Sequence, residues 1–138
     1  MSTNVKMFVY LNKTRLTKTI ARFFGVKKVT DFKVKEVKQG HVKGIGYVCA
    51  SYSKETHTIY INNEIWNLLT NYEQYELFTH ELIHLYQHQY DLCKFDYSIA
   101  YEKRPQEKHA ELYAEKILKI LNIVETETSV FEYGRESS

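Results

Sequence analysis

The sequence predicts an α+β fold in which a small, mostly antiparallel sheet of three to four strands packs on helices. Three observations predict this fold class. A chain of 138 residues has the size of one domain and can bury a core of its own. Proline occurs once, which favours long helices. Strand-like alternation stops near residue 62, and helical periodicity dominates the chain beyond it.

The first half of the chain is predicted to contain one helix and three strands. Residues 1–12 predict a short strand or an extended arm. Thr14 is a suitable N-cap for a helix that ends at Gly25, because glycine readily adopts the left-handed conformation that closes a helix. Apolar residues that alternate with polar ones predict strands over residues 31–38, 47–52 and 57–62. The last two strands flank a polar turn and are expected to form a β-hairpin.

A long helix is predicted after a short helix that Asn62 and Asn63 can cap. Asn71, with Gln74 three residues later, fits a capping box at its start, and the helix is expected to run to about Tyr90. Its large apolar side chains fall on one broad face suited to a core. A different side, segregated from that face, carries His80, Glu81, His84 and His88.

The last helix is predicted to begin at Pro105, a residue that suits the first helical turn, and to end near Leu121. A linker over residues 91–103 precedes it. We expect a single domain over residues 1–124 and a polar, mobile tail over residues 125–138.

Charge is distributed unevenly along the chain. Residues 1–50 contain 11 Lys/Arg and 2 Asp/Glu, a balance of +9, whereas residues 51–138 contain 8 and 15, a balance of −7. The basic half is either a solvated face or a surface for nucleic acid or an acidic partner. No apolar run approaches the roughly 20 residues of a membrane span, and no secretory signal pattern is found. We therefore expect a cytoplasmic protein without membrane contact, in which Cys49 and Cys93 stay reduced.

The stretch from His80 to His84 reads His-Glu-Leu-Ile-His. Two histidines four residues apart lie on the same face of a helix, one turn above the other, so one ion can bind both. Glu81 then lies beside that ion and can take a proton from a metal-bound water. This is the H-E-x-x-H pattern of zinc metallopeptidases.

A catalytic zinc ion usually has a third protein ligand, for which the last helix offers the best candidates. Glu107 and Glu111 lie four residues apart and hence on one face. Glu107 is the favoured ligand, with Glu111 and His109 as alternatives. A carboxylate that does not bind the ion can accept the N–H of a ligand histidine. His88 is disfavoured, because three successive turns of a straight helix do not converge on one ion.

The two motifs together resemble the gluzincin arrangement, in which H-E-x-x-H on one helix is followed by Glu-x-x-Ala-(Asp/Glu) on a later helix, here residues 107–111. The arrangement occurs in HtpX-like membrane peptidases and in small soluble ImmA/IrrE-like and phage or bacterial zincin-like proteins. The order of elements is similar over about residues 14–121. The resemblance implies a minimal zincin-like fold. It also implies roles for five residues: zinc ligands His80, His84 and Glu107, base Glu81, and Glu111 beside a ligand histidine.

The expected function is therefore that of a zinc-dependent peptidase that binds one Zn²⁺ ion and cleaves a protein or peptide substrate. A donor for the developing oxyanion is also needed, for which the candidates are Tyr97, Tyr101, His88 and His109. The alternative is a regulatory or nucleic-acid-associated binding module of the same fold, in which the zinc ion is mainly structural.

Overall fold

The computed structural model describes residues 4–38, 41–42, 46–47 and 49–125. Within these residues the chain has the predicted α+β class, with four α-helices and a small three-stranded sheet. The elements are, in chain order, α1 (Val5–Phe24), β1 (Lys33–Val37), β2 (His41–Val42), β3 (Gly46–Tyr47), β4 (Ala50–Ser53), β5 (Thr58–Asn62), α2 (Asn63–Trp66), α3 (Asn71–Tyr90), a 3₁₀ turn (Tyr101–Lys103) and α4 (Pro105–Ile120).

Helix α1 begins ten residues earlier than predicted, so the strand or extended arm expected near the N-terminus is wrong for residues 5–12. The side chain of Asn4 caps the helix by accepting a hydrogen bond from the backbone N–H of Met7 at 2.9 Å. Val5 and Phe8 are buried in the core, which holds the first turns in place. The predicted end is correct, because Gly25 closes the helix in the left-handed conformation with φ 68°.

The main sheet has the strand order β1-β5-β4 and is mixed. Strand β1 pairs in parallel with β5, and β4 pairs antiparallel with β5 in the predicted hairpin. The prediction of a mostly antiparallel sheet is therefore wrong. Strand β5 is buried on both faces and takes the central position. Its hairpin partner occupies one edge, so β1 is left with the other edge. The predicted strand over residues 47–52 is divided between β4 and β3, and β3 pairs instead with β2.

Helix α3 is capped by Thr70, one residue before the predicted Asn71. The Thr70 hydroxyl accepts the N–H of Glu73, and the Glu73 carboxylate accepts the N–H of Thr70 at 2.8 Å, which completes a capping box. The helix ends at Tyr90 as predicted. Every residue from position 77 to position 87 is buried, because α1, β4 and α4 all pack on α3. The side of α3 that carries the motif histidines, which is distinct from the apolar face, is therefore buried as well.

Helix α4 begins at Pro105, as predicted, and packs along α3. Ala110 and Ala114 are buried in the contact, and such small side chains let two helices approach closely. Neither Cys49 nor Cys93 is part of a disulfide. No helix in the described part of the chain is long and apolar enough to cross a membrane. Nearly all of the predicted C-terminal tail lies outside the described residues.

Candidate metal centre

Three side chains from two helices meet at one point between α3 and α4. The Nε2 atom of His80 lies 2.9 Å from Oε1 of Glu107, and Nε2 of His84 lies 3.1 Å from the same oxygen. The two ring nitrogens are 3.0 Å apart. His80, His84 and Glu107 are only 2 %, 0 % and 3 % exposed, respectively. Residues as far as 27 positions apart in the sequence thus form a compact triangle of ligand-type atoms.

The dimensions of this triangle fit a small metal ion. With metal–ligand bonds of about 2.0–2.1 Å, two ligands of a tetrahedral ion are roughly 3.3 Å apart. The three observed distances are a few tenths of an ångström shorter, so a zinc ion fits with a small outward movement of the side chains. Two imidazoles and one carboxylate are also a donor set that zinc uses in catalytic sites.

The electrostatics of Glu107 favour a cation at this point. Burial on its own raises the pKa of the Glu107 carboxyl, but its contacts with the rings of His80 and His84 outweigh burial and hold that pKa well below its usual range. Glu107 is therefore ionised at neutral pH. The site then contains one anionic oxygen and two imidazole nitrogens, with almost no exposure to the solvent that would screen them.

Glu81 lies next to the triangle and is fully buried on α3. Its carboxylate and the rings of His80 and His84 each offer one ligand atom, and these three atoms lie within 4.8 Å of one another. The predicted neighbour relationship between Glu81 and the two histidines is therefore present in the structure. A carboxylate this close to the two histidines is a candidate for accepting a proton from a water molecule bound to an ion at this site.

Gln87 contacts His84 at Nδ1, the ring nitrogen that does not face the triangle. It was not among the predicted site residues. Its Oε1 atom is 2.7 Å from Nδ1 of His84. Its Nε2 atom donates to the backbone carbonyl of Gln106 at 2.9 Å and lies 2.9 Å from Nδ1 of His109. The sequence signal is its position three residues after His84, which allows contact on one helix face. The partners on α4 could be identified only from the fold.

Glu111 lies one turn beyond Glu107 on α4 and is exposed. The carboxylate predicted to support a ligand histidine is thus on the solvent side of the helix, and at His84 the supporting contact is made by Gln87. His109 is the residue of that turn that approaches the site. Its ring stacks on Phe24 at 5.6 Å between centroids. Burial, followed by the electrostatic influence of His84, lowers the pKa of His109, which favours its neutral form.

The other predicted oxyanion donors lie in an aromatic cluster and in the loop before α4. His88 stacks on Phe95 with 4.3 Å between ring centroids, and its Nε2 atom lies 3.2 Å from the hydroxyl of Tyr97. Burial, followed by the negative charge of Glu107, raises the pKa of Tyr97. The hydroxyl of Tyr101 is buried, and the guanidinium of Arg104 lies over its ring.

Three surface grooves, of about 330, 400 and 240 Å³, lie on the described part of the protein. Their lining residues come from α1, β1, the loop after α1 and the region of α2, and none belongs to the triangle. The candidate metal centre is therefore separate from these grooves.

No protein-family model matches this chain, and comparisons with curated proteins and with solved structures find no significant match.

Proposed function

We propose that this protein is a zinc-dependent metallopeptidase with a minimal zincin-like fold. The observation that carries the proposal is the buried triangle of His80 Nε2, His84 Nε2 and Glu107 Oε1, with sides of 2.9, 3.0 and 3.1 Å. Atoms with lone pairs that face one another in a buried space repel unless protons or a cation lie among them. A zinc ion satisfies all three at once and leaves a fourth position for water.

Each side chain has a defined part in this proposal. His80, His84 and Glu107 hold the ion, which when bound lowers the pKa of a water ligand towards 7 and polarises the scissile carbonyl. Glu81 accepts the proton of the attacking water and passes it to the leaving amine. His88, His109, Tyr97 and Tyr101 remain the candidates for stabilising the oxyanion.

One edge of the sheet is a suitable place for the substrate to bind. Strand β5 is central, so β4 is the edge strand on this side of the three-stranded sheet. Strand β4 packs on α3, and its Tyr52 stacks on His88 at 5.7 Å, one helical turn from His84. An extended peptide that pairs with this edge would lie along the motif helix. A protein or peptide substrate is therefore proposed rather than a small molecule.

The first test is the zinc content of the purified protein. We expect about one zinc ion per chain in the parent and its loss in Glu107→Ala, because that change removes the anionic corner of the triangle. Glu111→Ala is the matched control, since it makes the same substitution one turn along α4 at an exposed position. Equal zinc content in the parent and in Glu107→Ala would refute the proposed site.

A second candidate function, a nucleic-acid-associated binding module with a structural zinc, is supported by the surface charge. Residues 4–30 contain seven Lys/Arg and no Asp or Glu. Four lysines at the end of this segment and in β1 are all exposed: Lys27, Lys28, Lys33 and Lys35. A basic surface of this kind suits phosphate groups, and it is compatible with the peptidase function.

A further inference from the structure

Gln87 is a fully buried side chain that contacts both helices of the candidate metal centre. On its own helix it contacts His84, and on α4 it contacts the carbonyl of Gln106 and the ring of His109. A primary amide can face a neighbour in two ways, with its oxygen or with its nitrogen, and the two ends have opposite hydrogen-bonding roles. Its partners therefore determine its orientation.

The Gln106 carbonyl decides this orientation. A backbone carbonyl only accepts hydrogen bonds, so the NH₂ group of Gln87 must face it. The Nε2 atom of Gln87 lies 2.9 Å from this carbonyl oxygen, in agreement with that orientation. The amide oxygen is then directed at His84 Nδ1, 2.7 Å away. An amide oxygen also only accepts, so Nδ1 of His84 must carry the proton. When His84 is a neutral imidazole, its lone pair is then on Nε2, and the N–H that the Glu107 carboxylate accepts comes from Nε2 of His80.

Gln106 is itself held firmly in place. Its side-chain amide makes two hydrogen bonds with the backbone of Asp96, accepting from the N–H at 3.0 Å and donating to the carbonyl at 3.1 Å. The next residue along α4 is Glu107. Two consecutive residues of α4 therefore act on the site. Glu107 provides the carboxylate of the triangle, and the backbone carbonyl of Gln106 orients Gln87.

We infer that Gln87 is a positioning residue of this centre, which fixes His84 in the Nδ1–H tautomer so that the Nε2 lone pair is directed at the metal. The inference rests on the proposed zinc site and deepens it, because hydrogen bonds to the distal nitrogen of a ligand histidine set its tautomer and raise its basicity. Removal of such a partner typically weakens metal binding about 10- to 100-fold.

The test compares four proteins: the parent, Gln87→Met, Gln87→Glu and Gln89→Met. Methionine has nearly the volume of glutamine but lacks a strong acceptor, whereas glutamate keeps an acceptor oxygen towards His84. Gln89 is exposed on the same helix, so Gln89→Met is the matched control. Folding of each variant is checked by its thermal midpoint. The tautomer of His84 is read from ¹H–¹⁵N long-range spectra of the metal-free protein at mildly alkaline pH, and the zinc dissociation constant from chelator competition.

We expect the parent, Gln87→Glu and Gln89→Met to have the Nδ1–H form of His84, and Gln87→Met to lose it. The zinc dissociation constant should rise about 10- to 100-fold in Gln87→Met and not in Gln89→Met. An Nε2–H or doubly protonated His84 in the parent overturns the inference, as does parent-like zinc affinity in folded Gln87→Met. A parent that binds no zinc refutes the proposed function instead. The His84 tautomers in the parent and in Gln87→Met then still test whether Gln87 sets the tautomer.

Discussion

Glu107 and Glu111 are spaced as two residues of one helix face, yet α4 buries only Glu107. The buried residues of α4 are Gln106, Glu107, Ala110, Ala114, Ile117 and Leu118. At 100° per residue, Glu111 lies about 80° from the centre of that face, at its edge. Spacing in the sequence could therefore nominate both carboxylates. The choice between them depends on which side of α4 packs on α3, which is a tertiary property.

For Gln87, in contrast, the sequence did not indicate any role in the site. The sequence places it three residues after His84, but a glutamine in that position of a helix is usually exposed. Its burial and its orientation depend on the Gln106 carbonyl, 19 residues further on. A residue whose role is defined by a backbone group of another helix leaves no pattern in the sequence that could be recognised in advance.

Replacement of Glu81 by glutamine separates metal binding from catalysis. Glutamine has the same shape as glutamate but cannot accept a proton from water, so Glu81→Gln should retain zinc and lose hydrolysis by about 10²- to 10⁴-fold. Cleavage of a mixed fluorogenic peptide library and zinc content are measured together. Glu76→Gln, on the same helix, is the control and should cleave as the parent does. Parent-like cleavage by zinc-loaded Glu81→Gln would exclude Glu81 as the base.

The thiol of Cys93 should be slow to react at neutral pH. Burial, followed by the negative charges of Asp91 and Glu107, raises the pKa of Cys93 from 9.0 to about 11. The thiolate is the reactive form, so the raised pKa lowers its fraction roughly a hundredfold at about pH 8. In a Cys49→Ser background, the rate of iodoacetamide alkylation should therefore keep rising up to about pH 11. A rate that reaches its plateau near the ordinary pKa of 9.0 would contradict the raised value.

At the scale of elements, α3 shows why a helix could be predicted more reliably than its surroundings. Its end at Tyr90 was predicted correctly, and its start was wrong by one residue. Asn71 and Thr70 are both good caps, but the Gln74 side chain, which would complete a box with Asn71, donates to the carbonyl of Trp66 instead. The sequence did not indicate that the side of the helix with the motif histidines is buried too. Periodicity predicts one buried face, whereas α3 is enclosed by α1, β4 and α4 and buries polar and apolar side chains alike.

The predicted helix α1 was ten residues too short, because its actual start depends on packing in the core. Thr14 has the chemistry of an N-cap, but an N-cap residue has extended backbone, whereas Thr14 lies inside the helix. Val5 and Phe8 pack in the core, where the Phe8 ring makes an edge contact with Trp66 at 5.0 Å. That contact lies across the fold and could not be inferred from local sequence.

Substitution of the observed N-cap, Asn4, and substitution of the predicted N-cap, Thr14, should affect stability differently. Asn4→Ala removes the hydrogen bond from the N–H of Met7 and should lower the free energy of unfolding by about 0.5–2 kcal/mol. Thr14→Ala replaces an exposed threonine inside a helix by the best helix former and should be neutral or stabilising by up to about 0.6 kcal/mol. Urea denaturation measures both. A larger destabilisation by Thr14→Ala than by Asn4→Ala would restore the helix start predicted from the sequence.

At the scale of the whole molecule, the fold class followed from the sequence, but the sheet direction did not. Alternation of apolar and polar residues identifies a strand without indicating whether its neighbour runs parallel or antiparallel. The hairpin of β4 and β5 could be predicted because a short turn joins them. The parallel pair of β1 and β5 joins strands that are distant in the chain and are not connected by a short turn, so the sequence contains no such signal for it.

The basic half of the sequence includes four lysines that are exposed in the folded molecule and near one another along the chain: Lys27, Lys28, Lys33 and Lys35. If this surface binds nucleic acid, the affinity for a DNA duplex should fall as salt is raised. The slope of log affinity against log salt should become shallower by about 0.9 for each phosphate that is no longer neutralised. Replacement of the four lysines by glutamine should therefore reduce both the affinity and its salt dependence.

A second set of four exposed lysines provides a control with the same change in net charge: Lys94, Lys103, Lys116 and Lys119. Binding is measured by fluorescence anisotropy of a labelled duplex over a series of salt concentrations, with the zinc content of every variant checked. A local basic surface requires a larger decrease in affinity for the first set than for the second, because charges act over short range at physiological salt. Equal decreases would mean that only net charge matters. Unchanged affinity in the first set would exclude these lysines from binding and leave the peptidase proposal untouched.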